Sequence, residues 1–311
     1  MQDKDLIAFE RTLMLSQESL KSVLYKYLKK KYKEVINTEH YLYSKGDIPI
    51  ALVAHLDTVF KTPPTDVYYD AKKKVMWSPQ GLGADDRAGV FAIIKILSSG
   101  LRPHVIFTTD EEIGGLGAAE LVKNPCPFED LRYIIELDRR GRDDCVFYYC
   151  DNIDFIEYVQ GFNFFEDWGS FSDISILCPA WNVAGVNLSI GYEDEHSFLE
   201  ILHTDYLLET IEKVKKMLTV EKIPSFIYIP KVYNKNSYFQ VKCAKCGKLT
   251  PYNELYLIKT VNDKLEYYCE DCVLKDENHI KSCDICGEYY ESDESDYEVN
   301  VCKDCSNYYH F

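Results

Sequence analysis

The chain is short of positive charge. Its 35 lysines and arginines stand against 51 aspartates and glutamates, a net of −16 spread along the sequence, so the electrostatic footprint of a nucleic-acid binder is missing. No uninterrupted apolar stretch approaches the length of a membrane span, and Met1-Gln2-Asp3-Lys4-Asp5 opens no apolar signal segment. A soluble, cytoplasmic protein without a membrane partner is the expectation. Disulfides are excluded on different grounds. Of 12 cysteines, eight fall into four Cys-x-x-Cys pairs after residue 240, which is metal spacing, whereas Cys126, Cys145, Cys150 and Cys178 are scattered and read as buried or idle thiols. With 311 residues, 46% of them hydrophobic, the chain is long enough for one large α/β core and a small appendage.

Apolar positions at helical spacing over residues 4–33 (Leu6, Phe9, Leu13, Leu20, Leu24, Leu28) predict one or two amphipathic helices, their Lys29-Lys30-Lys31 end solvated. Residues 41–43 and 48–56 look like strands paired around Lys45-Gly46-Asp47, and a second hairpin turns at residues 71–74. A buried helix is expected over 90–97, then strands at 105–109 and 133–137 separated by a helix over 115–122. Beyond these come a strand at 145–149, a helix at 153–159, a strand at 183–189 and a last helix at 204–218. Strand, helix, strand in this order gives a parallel or mixed sheet flanked by helices. Ligands of such sheets gather beyond the carboxyl ends of the strands, where His55, Asp110-Glu111-Glu112 and Asp138 all fall. The expected division is a hydrolase domain over 1–220, a linker over 221–240 marked by Pro224, Pro230 and Asn234-Lys235-Asn236-Ser237, and a cysteine module over 241–311.

These acidic and histidine residues are what two adjacent zinc ions and one attacking water require. His55 and Asp57 project the same way from an extended segment, so one ligates while the other holds the imidazole by its second nitrogen. Asp85 sits where the loop Gly81-Leu82-Gly83-Ala84 enters a helix, and its carboxylate can bridge two cations. Asp138 completes one metal; Glu112 and His196 complete the other. Neighbouring glutamates on an extended segment cannot both face one metal, which leaves Glu111 as general base. His203 is the competing histidine, but it falls just before a helix; His104, His279 and His310 read as structural or exposed. The Gly-x-Gly is no nucleotide loop, since the Lys-Ser/Thr of a P-loop and the third glycine of a dinucleotide loop are both missing.

In order, His55-Leu56-Asp57, the block Gly81 through Gly89 containing Asp85-Asp86-Arg87, Glu111-Glu112, Glu136-Leu137-Asp138 and Gly191-Tyr192 followed by His196 resemble the dinuclear zinc exopeptidases and amidohydrolases of the M20, M28 and M42 clan. The likeness runs from about residue 40 to about residue 215 and is closest in plan to M28 aminopeptidases, because Asp138 and His196 are too near one another for an inserted lid domain. The resemblance implies a three-layer α/β/α sandwich and a cis peptide between Asp85 and Asp86. The oxyanion-stabilising histidine that the M20 lid donates is missing, with Tyr192 a weak substitute. Gly169-Ser170-Phe171-Ser172-Asp173 resembles the Ser-Asp-rich loop of M28 enzymes, with Ile174 where a histidine is common, and makes Asp173 a weak candidate for holding a substrate amine.

In the tail, Cys243, Cys246, Cys269 and Cys272 form one repeat, with a turn at Asn262-Asp263, and Cys283, Cys286, Cys302 and Cys305 form the next. Each knuckle grips one ion and a glycine after its second cysteine supplies the turn, so two structural zinc ions bound sequentially, as in zinc ribbons, are expected. Residues 231–311 hold ten lysines, no arginine and fifteen acids, which repels phosphate and favours a protein partner or substrate recruitment. Residues 291–298 read as an acidic hairpin tip. The expected activity is a metal-dependent hydrolase of peptide or amide bonds using two catalytic zinc ions (or cobalt or manganese). An aminopeptidase is preferred to an amidohydrolase that deacylates a small molecule or modified protein, and to a non-catalytic zinc-binding adaptor.

Overall fold

The apolar strand Ile48–His55 is buried continuously from Ile50 onward, and a strand buried on both faces needs neighbours on both sides and a helical layer above and below. The computed structural model, which describes residues 3–231, 240–251, 254–262, 264–276, 279–283, 285–292, 300–303 and 305–306, supplies both. The chain separates into a unit from Met1 to Lys231 and a second from Val232 to Phe311. In the first, an eight-stranded sheet runs in the order Ile36–Asn37, Tyr41–Ser44, Pro103–Thr108, Ile48–His55, Tyr133–Arg139, Gly185–Ser189, Asp144–Val146, Phe165–Glu166. Its four central strands are parallel and its flanking pairings include antiparallel ones.

Alternation along the central strands divides the interior in two. Ile50, Leu52, Ala54, Val105, Phe107, Ile135 and Leu137 face one core, with residues of the helices Ala84–Ser98 and Thr204–Leu218. The N-terminal helices Asp3–Leu13 and Gln17–Leu28 close that side through Phe9, Leu13, Leu20, Leu24 and Leu28. Ala51, Val53, Ile106 and Ile134 face the other core, under the helices Leu116–Leu121 and Ile174–Trp181. The result is the three-layer α/β/α sandwich, with a smaller four-stranded sheet of Tyr192–Glu193, Ile201–His203, Val75–Trp77 and Tyr68–Asp70.

Four expectations need correction. The segments 41–43 and 48–56 are not a hairpin: Pro103–Thr108 lies between them, antiparallel to the first and parallel to the second. The turn at Gly46 is tied to that inserted strand instead, with Asp47 and Ile48 both donating their N–H to Arg102 O and room for no side chain at Gly46, whose Cβ would lie 2.0 Å from the same oxygen. The strand expected at 145–149 stops at Val146, because Tyr148 and Tyr149 adopt φ of 40° and 62°. The helix Ile174–Trp181 was not expected, being short and interrupted by Pro179. Finally, residues 221–231 are strapped to the first unit rather than free as a linker. Phe226 packs among Tyr133, Phe155 and Tyr158, and its backbone bonds to Arg132 and Ala184.

The second unit contains a two-stranded sheet (Gln240–Lys242, Leu249–Pro251) and a four-stranded one in the order Leu265–Cys269, Leu255–Lys259, Tyr289–Glu291, Ile280–Ser282. The first two strands of the latter form the antiparallel pair expected of the first repeat. Asp263 at its turn, most of the acidic tip expected at 291–298, the linker residues Asn234 to Ser237 and His310 lie outside the described residues.

One close approach in the first unit sets the spacing between helix and sheet beside Asp86. Gly89 lets the helix Ala84–Ser98 press on the strand Tyr133–Arg139, since a Cβ there would lie 2.1 Å from Leu137 O and 2.5 Å from Asp86 Oδ1. Gly89→Ala is therefore expected to lower the stability of the first unit by about 1–3 kcal/mol, read from urea unfolding midpoints. Gly161→Ala, whose nearest neighbour would be Tyr158 O at 3.2 Å, should cost clearly less; equal losses would refute the packing argument.

Candidate metal centre

The parallel strands end on one side of the sheet and deliver polar side chains there. His55 closes its strand, almost completely buried, with Nδ1 3.2 Å from Asp57 Oδ1 and Nε2 3.0 Å from Asp85 Oδ1 and 3.4 Å from Asp138 Oδ1. The other oxygen of Asp85 lies 3.1 Å from His196 Nε2, which is also 3.0 Å from Glu112 Oε2. Two groups of candidate ligand atoms result, His55, Asp85 and Asp138, and Asp85, Glu112 and His196, each within 4.8 Å. Asp85 belongs to both. His203, by contrast, stacks on Tyr206 and lies 3.6 Å from Glu193, and the buried His104 accepts the Gly46 N–H at 3.0 Å.

The site carries more negative charge than its own histidines can balance. Burial and the Asp85 carboxylate push Asp138 up to about 7. Burial, with Asp138, Asp173 and Glu112 nearby, pushes Glu111 up to about 9 against the pull of His55. Burial works against a charge on His55, yet Asp138, Asp57 and Asp85 hold its pKa well above the ordinary value. His196, bonded to Asp85 and Glu112, is raised to about 11. Asp85 is lowered: burial opposes its charge, and the two histidines overcome it. Imidazole and carboxylate donors gathered at this density, with Glu112 Oε1 buried and unpartnered, fit divalent cations, which need N/O ligands and neutralise the repulsion among them.

Several supporting contacts, some of them made by residues already named, escape a reading of the sequence. Asp57 accepts the N–H groups of both Glu111 and Glu112, at 3.1 and 3.0 Å, besides holding His55. Asp86 accepts from His55 N–H and Gly89 N–H, and the peptide joining it to Asp85 is cis, as the resemblance implied. Glu200, nearly inaccessible, accepts the N–H of Gly83 at 2.6 Å and of Asp85 at 2.9 Å, fixing the loop that carries the shared carboxylate. Asn187 accepts the Asp138 N–H and donates to the Asp138 carbonyl. Only the clustering of polar residues near the motifs hinted at these partners, because the contacts span up to 117 positions.

A cleft of about 170 Å³ opens on the site, lined among others by Asp85, Glu111, Asp138, Arg140, Glu195 and His196. Tyr192 also lines it, but its hydroxyl is committed to Asp138 Oδ1 at 3.0 Å. Asp173 corrects an expectation: it is completely buried, accepts the Thr108 hydroxyl, and is absent from the cleft lining. Its carboxylate is sealed behind the site, where it raises Glu111, and so is badly placed to meet a substrate amine.

In the second unit, Cys243, Cys246, Cys269 and Cys272 converge, as do Cys283, Cys286, Cys302 and Cys305. The grouping is sequential. Each cluster is built alike, with Cys269 N–H donating to Cys243 Sγ and Cys302 N–H to Cys283 Sγ, both at 3.3 Å. Gly247 and Gly287 take φ of 73° and 75°, the left-handed turn a knuckle requires. Burial opposes ionisation of Cys243 and Cys283, but backbone N–H groups bring both down to about 6. Four-thiolate donor sets of this kind suit a closed zinc site.

Residues 13–161 match the sequence model of peptidase family M28. No curated protein is similar enough in sequence to match. Among solved structures the chain is similar to the aminopeptidase PepT of Bacillus cereus, at 14% identity and a TM-score of 0.58, over 70% of this chain and 98% of that one. It is similar also to a tripeptidase of Staphylococcus aureus (14% identity, TM-score 0.53, 69% and 96% covered). A TET aminopeptidase of a marine-sediment Thaumarchaeota archaeon gives 13%, 0.53, and 71% and 97%. At these identities the structural likeness speaks for the fold alone. The family match carries the motifs from His55 to Asp138, while His196 lies beyond it and is brought in by the fold. Sequence match, fold and candidate ligands agree: over residues 13–161 the chain is similar to the M28 peptidases, and it has the fold of the aminopeptidases named above with a candidate metal site at its strand ends.

Proposed function

We propose that this protein is a two-zinc aminopeptidase in which Glu111 acts as general base. The observation that carries the reading is Asp85, whose two carboxylate oxygens address His55 on one side and His196 on the other. His55 and Asp138 would hold one cation, Glu112 and His196 the second, and Asp85 both; cobalt or manganese would suit the same donors. The cations, when bound, supply Lewis acidity to a water and to the carbonyl under attack.

The chain's own part is positional and protonic. Asp57 orients the His55 ring and, through two backbone bonds, the Glu111-Glu112 pair. Glu111 lines the cleft, and among the described residues no hydrogen-bond donor holds its carboxylate. It is thus free to take the proton of the attacking water and to pass it to the nitrogen of the departing peptide. Tyr192 steadies Asp138. The two cysteine clusters would each hold a structural zinc, in a module whose excess of acids over lysines favours protein contact over nucleic acid. No helix among the described residues is long and apolar enough to cross a membrane.

Metal analysis of the purified full chain should find about four zinc per chain, falling to about two in Asp85→Ala with loss of turnover. Glu111→Gln should keep all of them while kcat on an aminoacyl amide drops by about 10²–10⁴; a fully active variant would exclude Glu111 as the base. Glu200→Ala leaves two buried N–H groups unpaired, at about 1–3 kcal/mol each. It should lower thermal stability and empty the Asp85 site first, the cysteine-bound zinc being retained. A Glu200→Ala protein with unchanged zinc content would show that Asp85 is positioned without it.

A further inference from the structure

The segment that carries Glu111 and Glu112 leaves its strand through a turn that an L-residue adopts reluctantly, Asp110 having a φ of 60°. Among the described residues no donor holds the Glu111 carboxylate, so the direction of that carboxylate is decided by the backbone at residues 109–112. Asp57 takes the N–H groups of Glu111 and Glu112 from one side. Those two bonds alone leave the peptide before Glu111 free to pivot about Asp110, and relaxation of the left-handed turn would swing the glutamate away from the cleft.

The opposing hold comes from the N-terminal part of the chain. Gln17 Oε1 accepts the Asp110 N–H at 3.3 Å and Gln17 Nε2 donates to Asp110 Oδ1 at 3.1 Å, across 93 positions. A primary amide offers an acceptor and a donor side by side, which is what the N–H and the carboxylate of one residue require. Gln17 opens the helix Gln17–Leu28, which is capped by Ser16 on the Ser19 N–H and anchored in the core by Leu20, Leu24 and Leu28, so the amide is mounted on a fixed element. One turn on, the buried Lys21 donates to the carbonyls of Thr38 and Glu39, and the next carbonyl, that of His40, accepts both the N–H and the hydroxyl of Thr109. The helix therefore grips the base-bearing loop twice, directly at Asp110 and through residues 38–40 at Thr109.

We propose that Gln17 is a positioning residue of the hydrolase: it holds Asp110 in the left-handed turn and thereby aims Glu111 at the cleft. The assignment rests on the aminopeptidase reading with Glu111 as base. Asp110 belongs to neither candidate ligand group, and the contact with Gln17 gives it a task of its own beside the glutamate pair.

The test reverses the polarity of this contact in the zinc-loaded full chain. Gln17→Ala removes both bonds, and Gln17→Glu sets two carboxylates against each other. Gln17→Glu combined with Asp110→Asn restores an acceptor for the backbone N–H and a donor–acceptor pair between the side chains, at unchanged net charge. For each protein kcat and KM are measured on leucine p-nitroanilide, together with zinc content and amide hydrogen exchange over residues 109–117. Gln17→Ala and Gln17→Glu should each lose about ten- to a hundredfold in kcat, with KM changed by less than about threefold, zinc content unchanged and exchange raised in that segment alone. The double variant should recover most of the loss, which a helix that merely covers the core would not produce. If Gln17→Ala does not fold, the comparison of Gln17→Glu with the double variant decides. Wild-type kcat in Gln17→Ala, or a double variant no better than Gln17→Glu, would overturn the assignment and leave the aminopeptidase reading standing. A wild type that turns over no aminoacyl or peptide substrate removes that reading and the assignment with it.

Discussion

Everything at this centre depends on placing carboxylates out of water at the ends of parallel strands. A buried carboxylate is tolerated only when donors or cations surround it, and the local structure can be read as the provision of those donors. Asp57 takes two backbone N–H groups from the Glu111-Glu112 segment, Asp86 takes those of His55 and Gly89, and Glu200 takes those of Gly83 and Asp85. The left-handed conformations at Gly83 and Asp110 turn the chain where these donors are needed. Asp85, Glu112 and Asp138 receive no comparable backbone support among the described residues and face one another and two histidines. That remainder is what divalent cations would neutralise.

The cysteine clusters meet a related constraint with a different chemistry. Thiolates are soft and bulky, so four of them close a tetrahedral zinc shell and leave no open position. Their residual charge is eased by N–H donors, as at Cys243 and Cys283. The first unit uses imidazole and carboxylate, a donor set compatible with an open position and with exchange of the bound species. On the proposed reading, one chain would separate structural from reactive ligation by ligand type and by unit, without the two sets competing for a common coordination geometry.

How much of this was legible in the sequence depended on the range of the contact involved. His55, Asp138 and the Glu111-Glu112 pair could be found because each follows an apolar run that reads as a central strand, and strand ends of such sheets are where ligands collect. The knuckles were legible because their ligands lie three residues apart. The pairing of residues 41–43 was not: adjacency in sequence suggested a hairpin, and only the burial of Ile48–His55 on both faces reveals that another strand must lie between. Glu200 was invisible for a similar reason, since its partners at Gly83 and Asp85 lie more than a hundred positions away. Asp173 misled because a residue type and a loop likeness say nothing of which way a side chain is sealed.

The charge of the site also bears on what it can admit. A cleft floored by carboxylates, in a chain of net −16, presents a field that attracts cationic groups and repels anionic ones. Bound dications would offset that field at the floor but not at the rim, where Arg140 pairs with Glu195 and Arg139 with Asp167, so both arginines are already neutralised. An anionic group at the reacting end of a substrate would find no free cation of the chain among the described residues lining the cleft.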